Sequence, residues 1–489
     1  MASPSTIDTL TSALVARFLR NHHFSDTLEA FVREAGLPLD VGQGADGIND
    51  WTIQSLIEEK KTYDQTAKFE RYGQTEKQST LWTEPAPSKA VVVQMPTSAN
   101  PLAVSVEQWQ SPSDDDTQDP AAGFYIVSTG SDKQVHLLNT EEGNESATSF
   151  PGVSDSPVLS LVSILQGRYI LMTNMSGKLI LLCGHQTLDT RKDHAKYAVK
   201  VAVYQDRKNS SKWWVATAGW DQTVLLYCLN IPENNATTLR IGQPVARIKL
   251  ISNPESLLFV PHIDTNELLL LVSRRDSTSI HYYQVEVDGA NTDAAREGEP
   301  REAQLLGQQN LAPHSNTWVA FSPAHMALSP NDPGLLAVAT STLPHLKVMI
   351  VRLLFPKATA DKPDSTSMAD QMTQASQAMA NLAIQNREDA AILVQANTFA
   401  SQTAYSTPQL AWRPDGSGVW VTGDDGVVRG VETKTGKVVA LLKGGHEPGC
   451  KVRSVWSGYV DVPQQGGHIV REEWVISGAF DKRVIVWKV

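Results

Sequence analysis

Pairs of short apolar runs occur along most of the chain, and a tight polar turn separates the two runs of each pair. The runs are rich in β-branched residues, which favours strands, and their continuous apolar character is typical of strands that are covered on both faces. Each pair therefore predicts a hairpin of two buried strands. Seven such pairs lie between residues 89 and 489: 124–128 with 134–138, 169–173 with 178–182, 213–217 with 224–227, 268–272 with 279–285, 335–339 with 346–353, 419–422 with 427–431, and 474–477 with 483–487.

A fixed frame of residues recurs at these turns. A hydroxyl residue stands four positions before an Asp, and an aromatic or apolar residue stands six positions after it. The frame occurs as Ser477, Asp481 and Trp487, as Thr217, Asp221 and Tyr227, and as Ser128, Asp132 and Leu138. Aligned turns stand at Asp132, Ser176, Asp221, Asp276, Ser341, Asp425 and Asp481, about 45 residues apart where no insertion intervenes. A repeat of this length is typical of propellers, in which each repeat forms a four-stranded blade.

The two ends of the repeat array complement each other. The last repeat stops after its third strand, whereas residues 90–93 (Ala-Val-Val-Val) form an extra apolar run before the first full repeat. Pairing that run with 483–487 would complete the last blade and remove an unpaired edge. We therefore predict a closed ring of seven blades over residues 89–489.

This part of the sequence resembles the WD-repeat family over about 400 residues. The blades of that family contain four hydrogen-bonded residues, a His, a Ser or Thr, an Asp and a Trp, which we call the tetrad. The resemblance implies a mainly β fold, a seven-bladed WD-type β-propeller, in which the tetrad is scaffold and its buried His–Asp pair is not a catalytic dyad. The matches are His446, Ser477, Asp481 and Trp487 in the last blade, and His194, Thr217, Asp221 and Tyr227 in the third, with Tyr227 in the position of the Trp.

The N-terminal residues 7–38 follow a helical pattern instead. Apolar side chains recur at helical spacing in two groups, which predicts two amphipathic helices. Ser25 is expected to cap the second helix, and Gly36 and Pro38 are expected to end it. About 30 residues cannot bury enough surface to be stable alone, so this unit needs a partner. The apolar positions are Leu10, Leu14, Phe18 and Leu19 in the first group and Phe24, Leu28 and Phe31 in the second.

This segment resembles the LisH motif, a short helical dimerisation module. The resemblance rests on Leu14, Phe18, Leu19, Phe24, Thr27, Ala30, Phe31 and Glu34. It implies a homodimer whose contacts are made by Leu14, Phe18, Leu19, Phe24 and Phe31. The family usually has Gly where this chain has His23, so we expect a positive φ at that helix-to-helix turn. The alternative is a helical hairpin that packs on its own propeller.

Two further segments fall outside the blades. Residues 49–72 are expected to form a connecting helix, and 73–88, which contain Pro85 and Pro87, are expected to be a linker. An insertion at about 357–389 separates the fifth and sixth repeats. It has an apolar stripe at helical spacing that predicts an adaptable docking face, and a half-ordered loop is the alternative. The stripe includes Met368, Met372, Met379 and Leu382.

Composition narrows the class of protein. The net charge of −11 lacks the basic footprint of a direct nucleic-acid binder. Three scattered cysteines fit neither a disulfide framework nor a zinc site, which indicates a reducing compartment, cytoplasmic or nuclear. The sequence contains no apolar run of membrane-spanning length, and we expect no signal peptide because Arg17 and Arg20 interrupt the apolar candidate segment.

The sequence offers no recognisable catalytic chemistry. It contains no phosphate-binding P-loop, no nucleophile elbow and no zinc-binding helix motif, so we expect no catalytic residues, cofactor or metal site. The favoured function is a non-catalytic scaffold that self-associates through the LisH module and presents a propeller to protein partners in a multi-subunit complex. The alternative is a substrate-receptor or regulatory subunit of a larger enzyme complex. The LisH–propeller families that are similar in architecture are of the dynein-regulating, ubiquitin-ligase and corepressor types.

Overall fold

A computed structural model describes residues 6–41, 52–54, 57, 81–110, 122–141, 144–231, 239–286, 300–314, 321–356, 374–463 and 469–489. The chain forms two compact units, Met1–Gln78 and Ser79–Val489. The first unit is helical where it is described. The second is built almost entirely from strands.

The first unit contains a helical hairpin, α1 (Thr6–Asn21) and α2 (Ser25–Glu34). His23 has a φ of 59° in the connecting turn, which confirms the expected positive φ. The predicted cap at Ser25 is wrong, because Phe24 occupies the cap position and Ser25 is the first helical residue. At the other end Gly36 has a φ of 63°, and the Leu37 N–H donates to the Val32 carbonyl at 3.0 Å, so the helix closes in a Schellman-type turn.

Only a few residues of the expected connecting helix at 49–72 are described. Ile53, Gln54 and Ile57 are helical, and the rest of 49–72 lies outside the described residues. The Gln54 side-chain nitrogen lies 2.6 Å from His22 Nε2, so this short piece contacts the turn of the hairpin.

The second unit begins with β1 (Lys89–Val93), and three blades follow. Blade 1 consists of β2 (Pro101–Gln110), β3 (Ala122–Gly130), β4 (Val135–Asn139) and β5 (Ser146–Phe150). Blade 2 consists of β6 (Val158–Ile164), β7 (Tyr169–Asn174), β8 (Lys178–Cys183) and β9 (Gln186–Lys192). Blade 3 consists of β10 (Ala198–Gln205), β11 (Lys212–Gly219), β12 (Thr223–Asn230) and β13 (Ala246–Lys249).

Four more blades complete the set. Blade 4 contains β14 (Pro254–Pro261), β15 (Leu268–Arg274) and β16 (Ser279–Gln284); after β17 (Arg301–Glu302), which pairs parallel with β13, it ends with β18 (Leu305–Asn310). Blade 5 consists of β19 (Pro323–Leu328), β20 (Leu335–Thr340), β21 (His345–Arg352) and, after helix α3 (Gln374–Ala391), β22 (Ile392–Ser401). Blade 6 consists of β23 (Leu410–Trp412), β24 (Gly418–Val421), β25 (Val428–Glu432) and β26 (Val438–Leu442). Blade 7 consists of β27 (Val452–Pro463), β28 (Ile469–Ala479) and β29 (Val484–Lys488), and β1 is its fourth strand.

The described residues thus form a seven-bladed propeller, and the mainly β fold is confirmed. Each of the seven hairpins predicted from the sequence is the central strand pair of one blade. The predicted closure is also confirmed, because β1 pairs antiparallel with β29 in a register that places Ala90 opposite Trp487 and Val93 opposite Val484.

The apolar core is divided among the blade interfaces. Seven clusters of buried side chains occur in the described residues, and each combines strands of two neighbouring blades. One of them joins blades 7 and 1 through Val93, Val104 and Trp474. Since this interface is packed like the other six, the ring has no open side.

The central turns explain the recurring Asp of the frame. The carboxylates of Asp132, Asp221 and Asp481 each accept the backbone N–H two residues further on, at 3.1–3.3 Å. The residue directly after each Asp has a positive φ of 64–66°. An Asp side chain that bonds its own turn holds this conformation without a glycine, which is why the frame needs that residue type.

The expected linker at 73–88 differs from the structure. Residues 81–88 belong to the second unit, and Trp82 is buried there, with its ring 5.2 Å from that of Trp420. A Cβ atom added to Gly418 or Gly430 would lie within 2.5 Å of the Trp82 ring, so these two glycines form a slot for it. The linker prediction is therefore wrong for 81–88, because a single Trp supplies enough apolar area to fix a Pro-containing segment to the blade.

Candidate functional site

The tetrad predicted for blade 7 is brought together by three hydrogen bonds. His446 Nδ1 lies 3.1 Å from Asp481 Oδ2, and His446 Nε2 lies 2.8 Å from Ser477 Oγ. Trp487 Nε1 donates to the same hydroxyl at 2.9 Å. Burial lowers the pKa of His446 and outweighs the neighbouring carboxylate, which acts in the opposite direction. The imidazole is therefore neutral at pH 7, and both of its nitrogens are engaged in hydrogen bonds within the tetrad.

In blade 3 the tetrad residues are arranged similarly with one difference. His194 Nδ1 lies 3.1 Å from Asp221 Oδ1, and His194 Nε2 lies 2.8 Å from Thr217 Oγ1. The Tyr227 hydroxyl, in the place of the Trp, donates to Asp193 at 3.0 Å. Burial alone would raise the pKa of Asp221, but hydrogen bonds from His194, Thr223 and the Ala195 N–H lower it to about 2.

Two other turn carboxylates have partners that sequence reasoning missed. His136 Nε2 lies 2.9 Å from Asp132 in blade 1, and Arg429 Nη2 lies 2.5 Å from Asp425 in blade 6. Both partners stand four residues after the Asp, on the strand that leaves the turn. A basic residue at that offset is a signal that could have identified them. In four blades, then, the turn Asp is paired with a basic side chain inside its own blade.

One group of side chains has the composition of a metal site. Ligand atoms of His446, Cys450 and Asp481 lie within 4.8 Å of one another. Burial, followed by the nearby carboxylates of Asp481 and Glu447, raises the pKa of Cys450 to about 11, so the sulfur is a thiol at neutral pH and would lose its proton on binding a metal. The hydrogen bonds already described engage His446 and Asp481 with each other.

The residues predicted for dimerisation lie on the helical hairpin and remain accessible. Phe24 is 51% exposed, and the other four are half-buried: Leu14, Phe18, Leu19 and Phe31. The Phe18 and Phe24 rings flank His22, with ring centroids 4.5 and 6.2 Å away. These aromatic side chains thus form a partly exposed patch at the hairpin turn.

The insertion forms a helix where it is described. Met379 and Leu382 of the predicted docking stripe lie on α3, where they are 73% and 53% exposed, whereas Met368 and Met372 lie outside the described residues. The base of the helix is fixed to blade 4, because the buried Glu388 carboxylate accepts the Asn310 N–H at 2.7 Å.

One end of the propeller carries exposed aromatic side chains that the sequence analysis did not single out. We call it the turn face, because it carries the central turn of each blade and the connection from each blade to the next. Trp220 and Phe480 hold the same frame position, directly before the turn Asp, and are 37% and 45% exposed. The Tyr197 ring packs 5.3 Å from Trp220, and Tyr405 is 89% exposed.

The first strands of the blades surround a central channel. Its cavity has a volume of about 460 Å³. Apolar and small polar side chains line most of the wall, and Tyr197 and Trp220 also border the cavity. The charged and titratable groups among the other lining residues are Lys200, Glu255, Arg275, His325 and Arg453.

None of the helices in the described residues is long and apolar enough to cross a bilayer. A closed seven-bladed ring preceded by a two-helix hairpin defines a propeller protein with an N-terminal helical module. A family model described as UCP007778, beta-propeller domain, matches residues 120–455, and one described as UCP007778, LisH domain, matches residues 9–42. The first match covers more than half of the chain, so the chain belongs to the UCP007778 family, and its N-terminal hairpin is a LisH domain.

The chain is also similar to a yeast protein. It is 24% identical over 461 residues to Uncharacterized protein YGR117C of Saccharomyces cerevisiae. The similarity covers 87% of this chain and 88% of the yeast protein.

Proposed function

We propose that this protein is a non-catalytic interaction scaffold that self-associates through its LisH domain and presents a WD-type propeller to protein partners. The observation that carries the proposal is the combination of a LisH domain with a seven-bladed propeller in one chain. Both kinds of domain generally mediate protein interactions. The turn carboxylates, which could otherwise suggest acid–base chemistry, are engaged in hydrogen bonds of the scaffold.

Self-association is supported by the surface of the hairpin. Two short helices leave Phe24 half exposed and the other dimerisation residues partly so. A two-fold partner hairpin would cover the same patch on both copies. Two propellers would then be tethered, and the second contact with a bivalent target would become intramolecular, which raises avidity without any new contact.

The propeller offers two surfaces for partners. Aromatic residues are enriched at the centres of protein interfaces, and Trp220, Phe480, Tyr197 and Tyr405 supply them on the turn face. The exposed Met379 and Leu382 of α3 supply an adaptable apolar stripe at the side. The cysteines of the described residues are free thiols, which fits a role in the reducing cytoplasm or nucleus.

Light scattering of the full-length protein tests self-association. We expect a dimer for the wild type and a monomer for Phe18→Glu, because a charge on the aromatic patch opposes burial of that patch. Arg33→Glu is the control, since Arg33 is an exposed residue of α2 outside the motif, and this variant should remain a dimer. A wild type that is monomeric at all micromolar concentrations would show that the LisH domain does not dimerise this chain.

Partner capture tests the propeller separately. Trp220→Ser and Phe480→Ser change exposed side chains, so both variants should fold and lose partners that bind the turn face. Met379→Ser should lose only partners that bind α3. If all three variants retain every partner, the partners bind neither the turn face nor α3.

A further inference from the structure

The first strands of six blades share a bulge close to where each strand begins. In β10, β14, β19 and β27, one extra residue interrupts the register with the neighbouring strand, and β2 and β6 show the same shift. All these strands start at the turn face, so the bulges lie at one level of the channel. Bulges redirect side chains and are frequent next to binding sites.

Four ionisable side chains come from this level. Glu255 and Arg453 are the bulged residues of β14 and β27, and Lys200 and His325 directly follow the bulges of β10 and β19. All four line the central cavity, together with Arg275 from the turn after β15. Four different blades thus contribute to one charged layer.

This layer has an excess of positive charge. Glu255 is the lining carboxylate, and it is already paired with Arg275, whose Nε lies 2.7 Å from Glu255 Oε1. Neither Lys200 nor Arg453 lies within ion-pair distance of a carboxylate among the described residues, although the charge of Glu255 partly offsets the effect of burial on the pKa of Arg453. The lining therefore carries three cations and one anion, in a protein whose net charge is −11. A desolvated cation without a counter-charge is costly, and burial lowers the pKa of Lys200 accordingly.

His325 does not relieve the charge of Lys200. Its Nδ1 accepts the Leu410 N–H at 3.4 Å, which leaves the ring hydrogen on Nε2. Nε2 lies 3.5 Å from Lys200 Nζ, so in this tautomer the ring N–H and the ammonium group face each other as two donors. Burial and the lysine charge hold the pKa of His325 well below its usual value.

We propose that the channel binds a small phosphate-bearing molecule, with Lys200 and Arg453 as its charged ligands and His325 as a hydrogen-bond donor. A phosphate group supplies several acceptor oxygens and the negative charge that this layer lacks. The cavity of about 460 Å³ lies within the size range of small-molecule sites. The site is independent of the scaffold function proposed above.

Isothermal titration of the full-length protein with inorganic pyrophosphate, at constant ionic strength in sodium chloride, tests this site. We expect binding of one molecule per chain, weakened at least about tenfold by Lys200→Met and by Arg453→Met. Lys208→Met is the matched control, because Lys208 lies between β10 and β11 of the same blade and is 75% exposed, and its affinity should equal that of the wild type.

Two outcomes would overturn the proposal. One is the absence of pyrophosphate binding above the chloride background. The other is equal affinity in the wild type and both channel variants. Near-ultraviolet circular dichroism identifies a variant that fails to fold. Arg453→Gln then replaces that variant, and phosphorus NMR line broadening of the wild type with and without competing sulfate still reports the site.

Discussion

At the scale of single residues, the same frame hydroxyl has different partners in different blades. Ser477 Oγ is bonded to both His446 and Trp487, whereas Ser128 Oγ, at the same frame position in blade 1, is buried without a partner among the described residues. In blade 1 the imidazole of His136 pairs instead with Asp132 and with Ser149. Ser128 therefore keeps the residue type of the frame, but its hydroxyl forms none of the hydrogen bonds of a tetrad.

This difference predicts that replacing the frame hydroxyl by Ala lowers the stability much more in blade 7 than in blade 1. Ser477→Ala should lower the free energy of unfolding by about 1–3 kcal/mol, because it leaves two buried polar groups unpaired. Ser128→Ala should change it by less than about 0.5 kcal/mol, since a hydroxyl without a partner contributes little when buried. Urea midpoints of the two variants and the wild type measure both effects. Equal losses would contradict the hydrogen-bond assignment.

Asp221 predicts a dependence of stability on pH. Its pKa is lowered from 3.8 to about 2 in the folded chain, and the side chain is 13% exposed. A carboxyl whose folded pKa is depressed stabilises the fold above its unfolded pKa, and this contribution is lost as the pH falls from about 4 to about 2. The loss is about 2 kcal/mol at most.

Thermal midpoints from pH 5 to pH 2 measure this effect. Asp221→Asn should be less stable than the wild type at pH 5, and the difference between the two should shrink as the pH falls. Asp155→Asn is the comparison, because Asp155 also has a pKa of about 2 but is 50% exposed, so solvent screening makes its contribution smaller. A constant difference between wild type and Asp221→Asn over the whole range would be inconsistent with the low pKa.

At the scale of elements, the segment before β1 is an anchor of the propeller. Arg413 and Glu473 form a buried bidentate ion pair at 2.7 and 2.8 Å that joins blades 6 and 7. The same guanidinium donates to the Thr83 carbonyl at 2.8 Å and lies 4.4 Å from the centre of the Trp82 ring. The segment is thus held by packing and by a satisfied charge together.

The glycine slot predicts a coupling between Trp82 and Gly418. Trp82→Ala should cost about 3–5 kcal/mol by emptying the slot. Gly418→Ala should be strongly destabilising alone, because the new Cβ would lie 2.3 Å from Trp82 Cζ3. In the Trp82→Ala background much of that second cost should disappear, although the Val431 carbonyl still lies 2.9 Å away. A double-mutant cycle measures this coupling, and additive effects would contradict the slot.

At the scale of the whole molecule, the pairing of β1 with β29 closes the ring. It joins residues almost 400 positions apart in the sequence, so the closure fixes blade 7 to blade 1 and leaves no interface uncovered. The strand has one face toward the core and the other toward solvent, since Val93 is 3% exposed and Val92 is 52% exposed. Closure therefore depends on the inward residues of a single short strand.

Adjacent valines provide a matched test of closure. Val93→Asp should destabilise the whole propeller by about 3 kcal/mol or more, because it places a charge between blades 7 and 1. Val92→Asp should cost less than about 1 kcal/mol, since its side chain reaches water. Thermal midpoints and the rate of proteolysis near residue 89 distinguish the two variants. Similar behaviour of both would mean that β1 is not essential to the ring.

The sequence by itself determined the seven central hairpins, the closing strand and the LisH hairpin. Each depends on local information: apolar periodicity, an Asp that bonds its own turn, and the spacing of one repeat. The tetrads of blades 3 and 7 were also visible, because the hydroxyl and the aromatic residue stand at fixed offsets from the turn Asp, whereas the His stands 35 residues before Asp481 and 27 before Asp221.

Only the tertiary structure decided how distant residues meet. Arg413 and Thr83 are 330 residues apart in the sequence, and Trp82 and Gly418 are separated by a similar number of residues. No local pattern therefore predicts either contact. The charged layer of the channel joins Lys200, His325 and Arg453 from three blades, and each of them stands at a bulge or directly after one. The reason is physical: a repeat specifies how one blade folds, whereas the channel and the anchor arise from closing seven of them into a ring.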